Sequence, residues 1–230
     1  MSARLHCAAL AVLGLGAAAP AGAGEVQLAP LGGHYTVPVE SMQALRFRGV
    51  ERQMVDYSCG SAAVATLLSH HYGRSLSEAE VFRKMYELSD KEQVHAQGFS
   101  MLDMKRFLER TGYSADGFRM GIERLAELEL PAIILLNTDG YLHFVVVKGV
   151  REDEVLLGDP AIGIRVMPLS AVKRMRQGPV FLIRDQQQQA RRSFNQRREW
   201  ALRTKPPYEH ALDHQDTPPF ASGWQPLGDW

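Results

Sequence analysis

The sequence predicts an α+β domain in which N-terminal helices pack on an antiparallel sheet. Two observations carry this. Helical periodicity dominates residues 59–112, and short apolar or alternating runs separated by turn residues dominate residues 113–183. Helices first and strands afterwards is an α+β order, unlike the alternation of βαβ units. The chain has 230 residues, 45% hydrophobic and 23% charged, enough for one globular domain with a core plus appendages. Its formal net charge of zero removes the electrostatic case for a nucleic-acid partner.

Residues 1–23 have the pattern of a signal peptide. Arg4 supplies a positive region, residues 7–19 an apolar stretch, and Ala21-Gly22-Ala23 a small-residue cleavage site. The stretch is short for a bilayer span, so removal is expected, with membrane contact only through this segment if it stays uncleaved. Cleavage removes Cys7 and leaves Cys59 as the sole cysteine of an exported, periplasmic chain. A lone cysteine in an oxidising compartment signals a reactive thiol or an intermolecular bridge. Residues 24–45 form an N-terminal extension. Val26 and Leu28, then Tyr35, Val37 and Val39, then Leu45 and Phe47 suggest short strands interrupted by Pro30, Gly32-Gly33 and Pro38.

The main domain is expected over residues 46–184. Residues 59–72 are apolar nearly all round, the mark of a buried central helix, and Gly73 ends it. His70-His71 close that helix, where positive charge is favoured. Ser77 and Glu80 form a capping box for a second helix reaching about Leu88. Asp90, Glu92 and His95 then fall in a loop. Ser100 caps a third helix, striped by Met101, Met104 and Leu108 and ended by Gly112. Residues 113–120 alternate as a strand, and 121–128 form a short helix. Residues 131–136 and 142–147 are apolar strands joined by turn residues, and 155–157, 164–167 and 179–183 complete the sheet. Residues 185–230 suggest an exposed polar helix and a mobile tail, with Trp200, Trp224 and Trp230 available to dock on the domain or a partner.

A thiol on the first turn of a buried helix sits among unpaired backbone N–H groups, where the macrodipole favours an anion. The thiolate is the nucleophilic form of cysteine. Such a nucleophile needs an ion-pair partner or base, a group that orients the base, and oxyanion donors. His143 opens a core strand and shares a face with Val145 and Val147, an apolar setting that demands polar partners for the ring. Asp159 ends the neighbouring strand, just before Pro160, within reach of His143. Gln53 precedes Cys59 at a spacing that lets its amide donate beside the thiol. Taken singly, these are a small core cysteine, a satisfied core histidine, a turn aspartate and an ordinary glutamine. In the order Gln, Cys, His, Asp they supply the parts of a thiol hydrolase. The chain has no paired Cys/His spacing, no His-Glu-x-x-His and no Gly-rich phosphate loop, so neither metal nor other cofactor is expected.

Gln53-x5-Cys59-Gly60 before an Ala/Leu-rich helix, then His143-Phe-Val-Val and Asp159-Pro160, resembles the bacteriocin-processing, double-glycine-leader cysteine peptidases. The resemblance runs over residues 46–183. It implies a papain-like fold and a cysteine-type peptidase, with Cys59 as nucleophile, His143 as general base, Asp159 as its orienter and Gln53 as oxyanion donor. A signal peptide without a transporter domain is more like the stand-alone exported branch, which includes a protease of functional-amyloid systems. That branch implies an exported polypeptide as substrate and secretion-system components as partners. Transporter-fused members usually carry an acid immediately before the cysteine. Here Ser58 stands there, with Asp56 two positions earlier, so the double-glycine rule is not carried over. Two other classes compete. One is a non-catalytic, chaperone-like binding module for an exported polypeptide, which an intact Cys59, His143 and Asp159 disfavours. The other is a cell-wall peptide amidase or acyl transferase, which shares the Cys–His order.

Overall fold

The computed structural model describes residues 24–28 and 35–202. The expected signal peptide and the tail with Trp224 and Trp230 lie outside the described residues. The chain divides into two units, Met1–Met42 and Gln43–Trp230. In the first, strand β1 (Gly24–Leu28) pairs antiparallel with β2 (Tyr35–Val39), Val26 opposite Val37, where the sequence placed two strands. Helix α1 (Met42–Phe47) follows. Leu45 and Phe47 therefore lie in a helix and not in the expected strand. Met, Gln, Ala, Leu and Arg are all strong helix formers, and two alternating residues do not define a period.

Helix α2 (Cys59–His71) is buried from Cys59 through Leu68 and again at His71. Small residues allow this. A Cβ built on Gly60 would lie 3.0 Å from Phe99 Cβ and 3.2 Å from Met104 Cε, so the first turn of α2 sits hard against these side chains. Helix α3 (Glu78–Leu88) has the expected capping box, with Glu80 N–H donating to Ser77 Oγ and Ser77 N–H to Glu80 Oε2. Helix α4 (Lys91–Gln97) occupies the stretch expected as loop. Asp90 caps it by accepting from the N–H groups of Glu92 and Gln93, and its one buried residue, Val94, gives no stripe for the sequence to display. Helix α5 (Met101–Arg110) is capped by Ser100 and Asp103, and Gly112 just beyond it has φ +90°.

Strand β3 (Ala115–Phe118), helix α6 (Glu123–Leu128) and strands β4 (Ala132–Thr138), β5 (Tyr141–Arg151), β6 (Glu154–Asp159) and β7 (Gly163–Pro168) follow. Helix α7 (Leu169–Met175), not foreseen in the sequence, buries Leu169 and Val172 before β8 (Arg176–Ile183). These strands make a six-stranded antiparallel sheet in the order β3-β8-β4-β5-β6-β7. Strand β5 is buried at every position from His143 to Val150, so both of its faces are covered. Helix α2 packs on β4, β5 and β6, and the main apolar cluster joins α2, α3 and α5 to β4, β5 and β8.

Residues 187–202 differ from the single exposed helix expected there. They form two short helices, α8 (Gln187–Arg192) and α9 (Arg197–Trp200), with Ala190, Phe194, Glu199 and Trp200 buried. Between them Asn195 donates its N–H to the Lys148 carbonyl (2.9 Å) and its amide to Val150 O (3.1 Å), next to the register shift between Val147 and Gly149. Lys148, 1% exposed, places Nζ 3.0 Å from Glu199 Oε1 and donates to Gly49 O at 2.7 Å. Trp200 docks here, under the Arg151 guanidinium at 4.6 Å. Its burial depends on partners from distant parts of the chain, which local composition does not reveal.

Removing one member of this buried pair leaves the other uncompensated. Glu199→Ala is expected to destabilise the fold by about 3–5 kcal/mol in urea titration, whereas Lys148→Met with Glu199→Leu should cost much less. Equal losses in the two variants would show that the pair's charges are not what matters.

Candidate active site

The chain enters α2 through a tight turn. Ser58 N–H and Oγ–H both donate to Val55 O, at 3.0 and 2.9 Å, so the Ser58 hydroxyl does not cap the helix. The amides of the first turn are left uncapped at the end where the macrodipole is positive. Cys59 stands on that turn, 7% exposed. Behind it, Ser61 Oγ donates to Glu78 Oε1 at 2.9 Å, tying the start of α3 to the start of α2. Burial raises the Glu78 carboxyl, and its hydrogen bonds with Ser61 and Ser58 work against that rise.

His143 lies near the start of β5, opposite Leu136 of β4. On the other side Val146 pairs with Gly158, so Asp159, one residue on, falls on the face shared by Val145 and His143. The Asp159 carboxylate bridges the diagonal. Its Oδ1 is 2.8 Å from His143 Nε2 and also accepts from Ala161 N–H at 2.9 Å. With Nε2 committed, Nδ1 is the ring nitrogen left for Cys59, which acts on the imidazole electrostatically; Nδ1 is buried and has no hydrogen-bond partner. Asp159 is 1% exposed, and its second oxygen is 2.9 Å from Arg165 Nη2 on β7. The sequence reading missed Arg165. Register alone would have found it, because β6 and β7 pair Asp159 with Gly163, two residues from Arg165.

Burial by itself would lower His143. The hydrogen bonds and charges of Asp159 and Cys59 outweigh it and raise the imidazole from its ordinary 6.5 to about 9. Burial likewise opposes the Asp159 anion, yet His143 first, and Arg165 and the Ala161 amide after it, hold the carboxyl below its usual range. The set therefore places a protonated imidazole between the Asp159 carboxylate and Cys59, the imidazole charge state that a thiolate–imidazolium pair requires.

Gln53 arrives at the same place through its backbone, donating its N–H to Pro160 O at 3.1 Å, directly after Asp159. Its Oε1 is buried without a hydrogen-bond partner. All four residues singled out in the sequence thus converge, from the loop before α2, from α2, from β5 and from the end of β6. Tyr141, also missed, stacks on His143 with centroids 5.7 Å apart and planes at 24°.

Among the described residues, two other histidines are engaged away from this site. His95 packs edge-on against Tyr57 and Tyr86, with Nε2 2.9 Å from Tyr86 Oη. His71 departs from the expected cationic helix end. Burial first, then the charge of Lys148, drives it well below 6.5, and it is neutral with Nδ1 2.7 Å from Ser193 Oγ. Among the described residues no group of three or more His, Cys, Asp or Glu side chains is placed to hold a metal ion.

The raised imidazole gives a pH dependence of definite sign. Its pairing contributes stability that is complete below about pH 6.5 and is lost as pH rises through about 9. The Asp159 contribution runs the other way, present above the ordinary carboxylate range and lost as pH falls through its depressed value. Peptide cleavage is expected to fall on an alkaline limb centred near pH 9 as His143 loses its proton. Asp159→Asn keeps an acceptor for Nε2–H but removes the charge, so the limb should move down by about one pH unit or more, with less loss of rate than His143→Ala. An unmoved limb in kcat/KM profiles would contradict this account.

Comparison with known proteins accords with this geometry. Residues 48–188 match the Peptidase C39 family. The chain is 41% identical over 154 residues to a Pseudomonas aeruginosa protein named probable functional amyloid protease FapD, covering 67% of this chain and 68% of that protein. A protein of the same name from Pseudomonas fluorescens is 38% identical over 148 residues, covering 64% and 66%. About two thirds of each relative's length is thus matched. The peptidase domain of Streptococcus ComA, a bifunctional ABC transporter involved in a quorum sensing pathway, superimposes with a TM-score of 0.50 at 18% identity, covering 59% of this chain and 96% of that domain. This last likeness speaks to the papain-like α+β fold alone. With a family match across most of the residues that build the sheet and the site, this chain belongs to the peptidase C39 family and is a cysteine peptidase.

Proposed function

We propose that this peptidase is exported to the periplasm and hydrolyses a peptide bond in another exported polypeptide, within an amyloid or peptide export system. The observation that carries the catalytic part is the line of Asp159 Oδ1, His143 Nε2 and Nδ1, and Cys59 at the uncapped first turn of α2. In this reading the Cys59 thiolate attacks the scissile carbonyl carbon. The Gln53 amide and the Cys59 N–H bind the resulting oxyanion. The tetrahedral adduct collapses with cleavage of the C–N bond, and protonated His143 gives its proton to the departing amine. Neutral His143 then takes a proton from water, whose oxygen attacks the thioester and releases the acid product and the thiol. Asp159 holds the ring throughout, itself held by Arg165.

Export is supported by the signal-peptide pattern of residues 1–23 and by the economy of cysteine, since its removal leaves Cys59 as the sole cysteine. The setting is supported by two relatives named as functional amyloid proteases.

Cys59→Ala is expected to leave the thermal unfolding midpoint close to wild type and to lower cleavage by on the order of 10⁴-fold or more. The decisive measurement compares the N- and C-termini of exported proteins from cells carrying wild-type or Cys59→Ala enzyme. New termini that need Cys59 support the proposal; identical sets of termini refute it.

A further inference from the structure

The Cys59 N–H, which the proposed mechanism uses as an oxyanion donor, belongs to the same peptide unit as the Ser58 carbonyl. A trans peptide is planar, so its N–H and C=O point in opposite directions, and whatever holds one aims the other. The Ser58 carbonyl is approached twice. Ala62 N–H donates to it at 3.1 Å as the first bond of α2, and the Ser61 hydroxyl lies 2.9 Å away. The same hydroxyl is 2.9 Å from Glu78 Oε1, at the start of α3. Ser58 and Ser61 have no exposed surface, and Glu78 is 5% exposed, so water does not compete strongly for these contacts.

The donor inventory then matters. A serine hydroxyl has one hydrogen and two lone pairs, so Ser61 standing between two acceptors can serve only one of them well. An ionised carboxylate is the stronger acceptor and draws that hydrogen away from Ser58 O. Protonation of Glu78 reverses the direction. The acid's own O–H donates to Ser61 Oγ, and the Ser61 O–H turns to Ser58 O. The line from Glu78 through Ser61 to the Ser58 carbonyl is then complete. Each bond polarises the next, which strengthens the Cys59 N–H as a donor.

We propose that Glu78 is a positioning residue that acts through Ser61 on the Ser58–Cys59 peptide, its own protonation setting how strongly the Cys59 N–H binds the oxyanion. This rests on the reading of that N–H as an oxyanion donor. Burial is the main influence on the Glu78 carboxyl and raises it, and the Glu51 carboxylate, from the loop before α2, adds to the rise. The hydroxyl contacts oppose it, as does the positive end of α3, where Glu78 is the first residue.

The test uses the full chain, a peptide spanning the cleavage site found by comparing termini, and iodoacetamide as a probe of Cys59. Glu78→Gln supplies N–H donors at every pH and so keeps the Ser61 hydrogen on Ser58 O. Its kcat should equal wild type at the acid end of the active range and exceed it about 5-fold once Glu78 ionises. The midpoint of that change should lie above the ordinary 4.5 of a glutamate, with KM within about twofold. Ser61→Ala should hold kcat about 5-fold below Glu78→Gln across the range, and adding Glu78→Gln in that background should change nothing. Alkylation forms no oxyanion, so its rate and pH midpoint should be the same in all of these enzymes. A Glu78→Gln to wild-type ratio that is flat in pH, or Ser61→Ala matching Glu78→Gln, would overturn the inference. So would an alkylation profile that shifts in step with kcat, because Glu78 would then act on the thiol by charge. In each case, loss of cleavage in Gln53→Ala leaves the oxyanion reading standing. Undiminished kcat in Gln53→Ala would remove that reading and this inference with it.

Discussion

Everything at this site depends on how deeply α2 is buried. A helix buried from Cys59 to Leu68 cannot slide or rotate without exposing Leu67 and Leu68, each worth roughly 1.5–3 kcal/mol of burial. The same packing limits its first turn, where even a Cβ on Gly60 would press on Phe99 and Met104. Cys59 is thereby held at one height over the sheet. A helix with an exposed face would leave that position to a few surface contacts.

The sheet holds the partners with equal definition. Antiparallel pairing of β5 with β6 puts His143 and Asp159 on one face and on a diagonal, so their separation is a property of register. Slipping β6 by one residue would turn Asp159 to the opposite face. The carboxylate is then oriented from both sides, since His143 and Ala161 N–H take one oxygen and Arg165 faces the other. A buried carboxylate without these partners would tend to protonate, and the imidazole would lose the charge that keeps it protonated.

Two further buried polar contacts tie the ends of the domain to this centre. Ser61 and Glu78 join α3 to the thiol-bearing turn. Lys148 and Glu199 join α9 to β5 a few residues beyond His143, with the Gly49 carbonyl as a third partner. The second couples segments far apart in sequence, so the short helix α9 supports the strand that carries His143. Tyr141 performs the same kind of joining at the exposed mouth of the site, between the sheet and the loop before α2.

Local pattern alone determined much of this protein. The all-round apolar run of α2, the capping boxes at Ser77 and Ser100, and the alternating segments after Gly112 are written in neighbouring residues, and each produced the expected element. The four residues Gln53, Cys59, His143 and Asp159 were legible as a set, because a lone thiol at a helix start and a histidine in an apolar strand each demand polar partners and the other two residues could supply them. Local pattern was silent or misleading where the deciding partner is distant. The strand expected at Leu45 and Phe47 is a helix, α4 and α7 lack a strong stripe, and the polar segment before Trp200 is docked because Lys148 is buried across from it. Only the tertiary structure could place β8 between β3 and β4, since strand order depends on which edges meet. It alone also brought Arg165 to Asp159 and Tyr141 to both His143 and Asp56, because such contacts follow from register and packing, which no single segment of sequence contains.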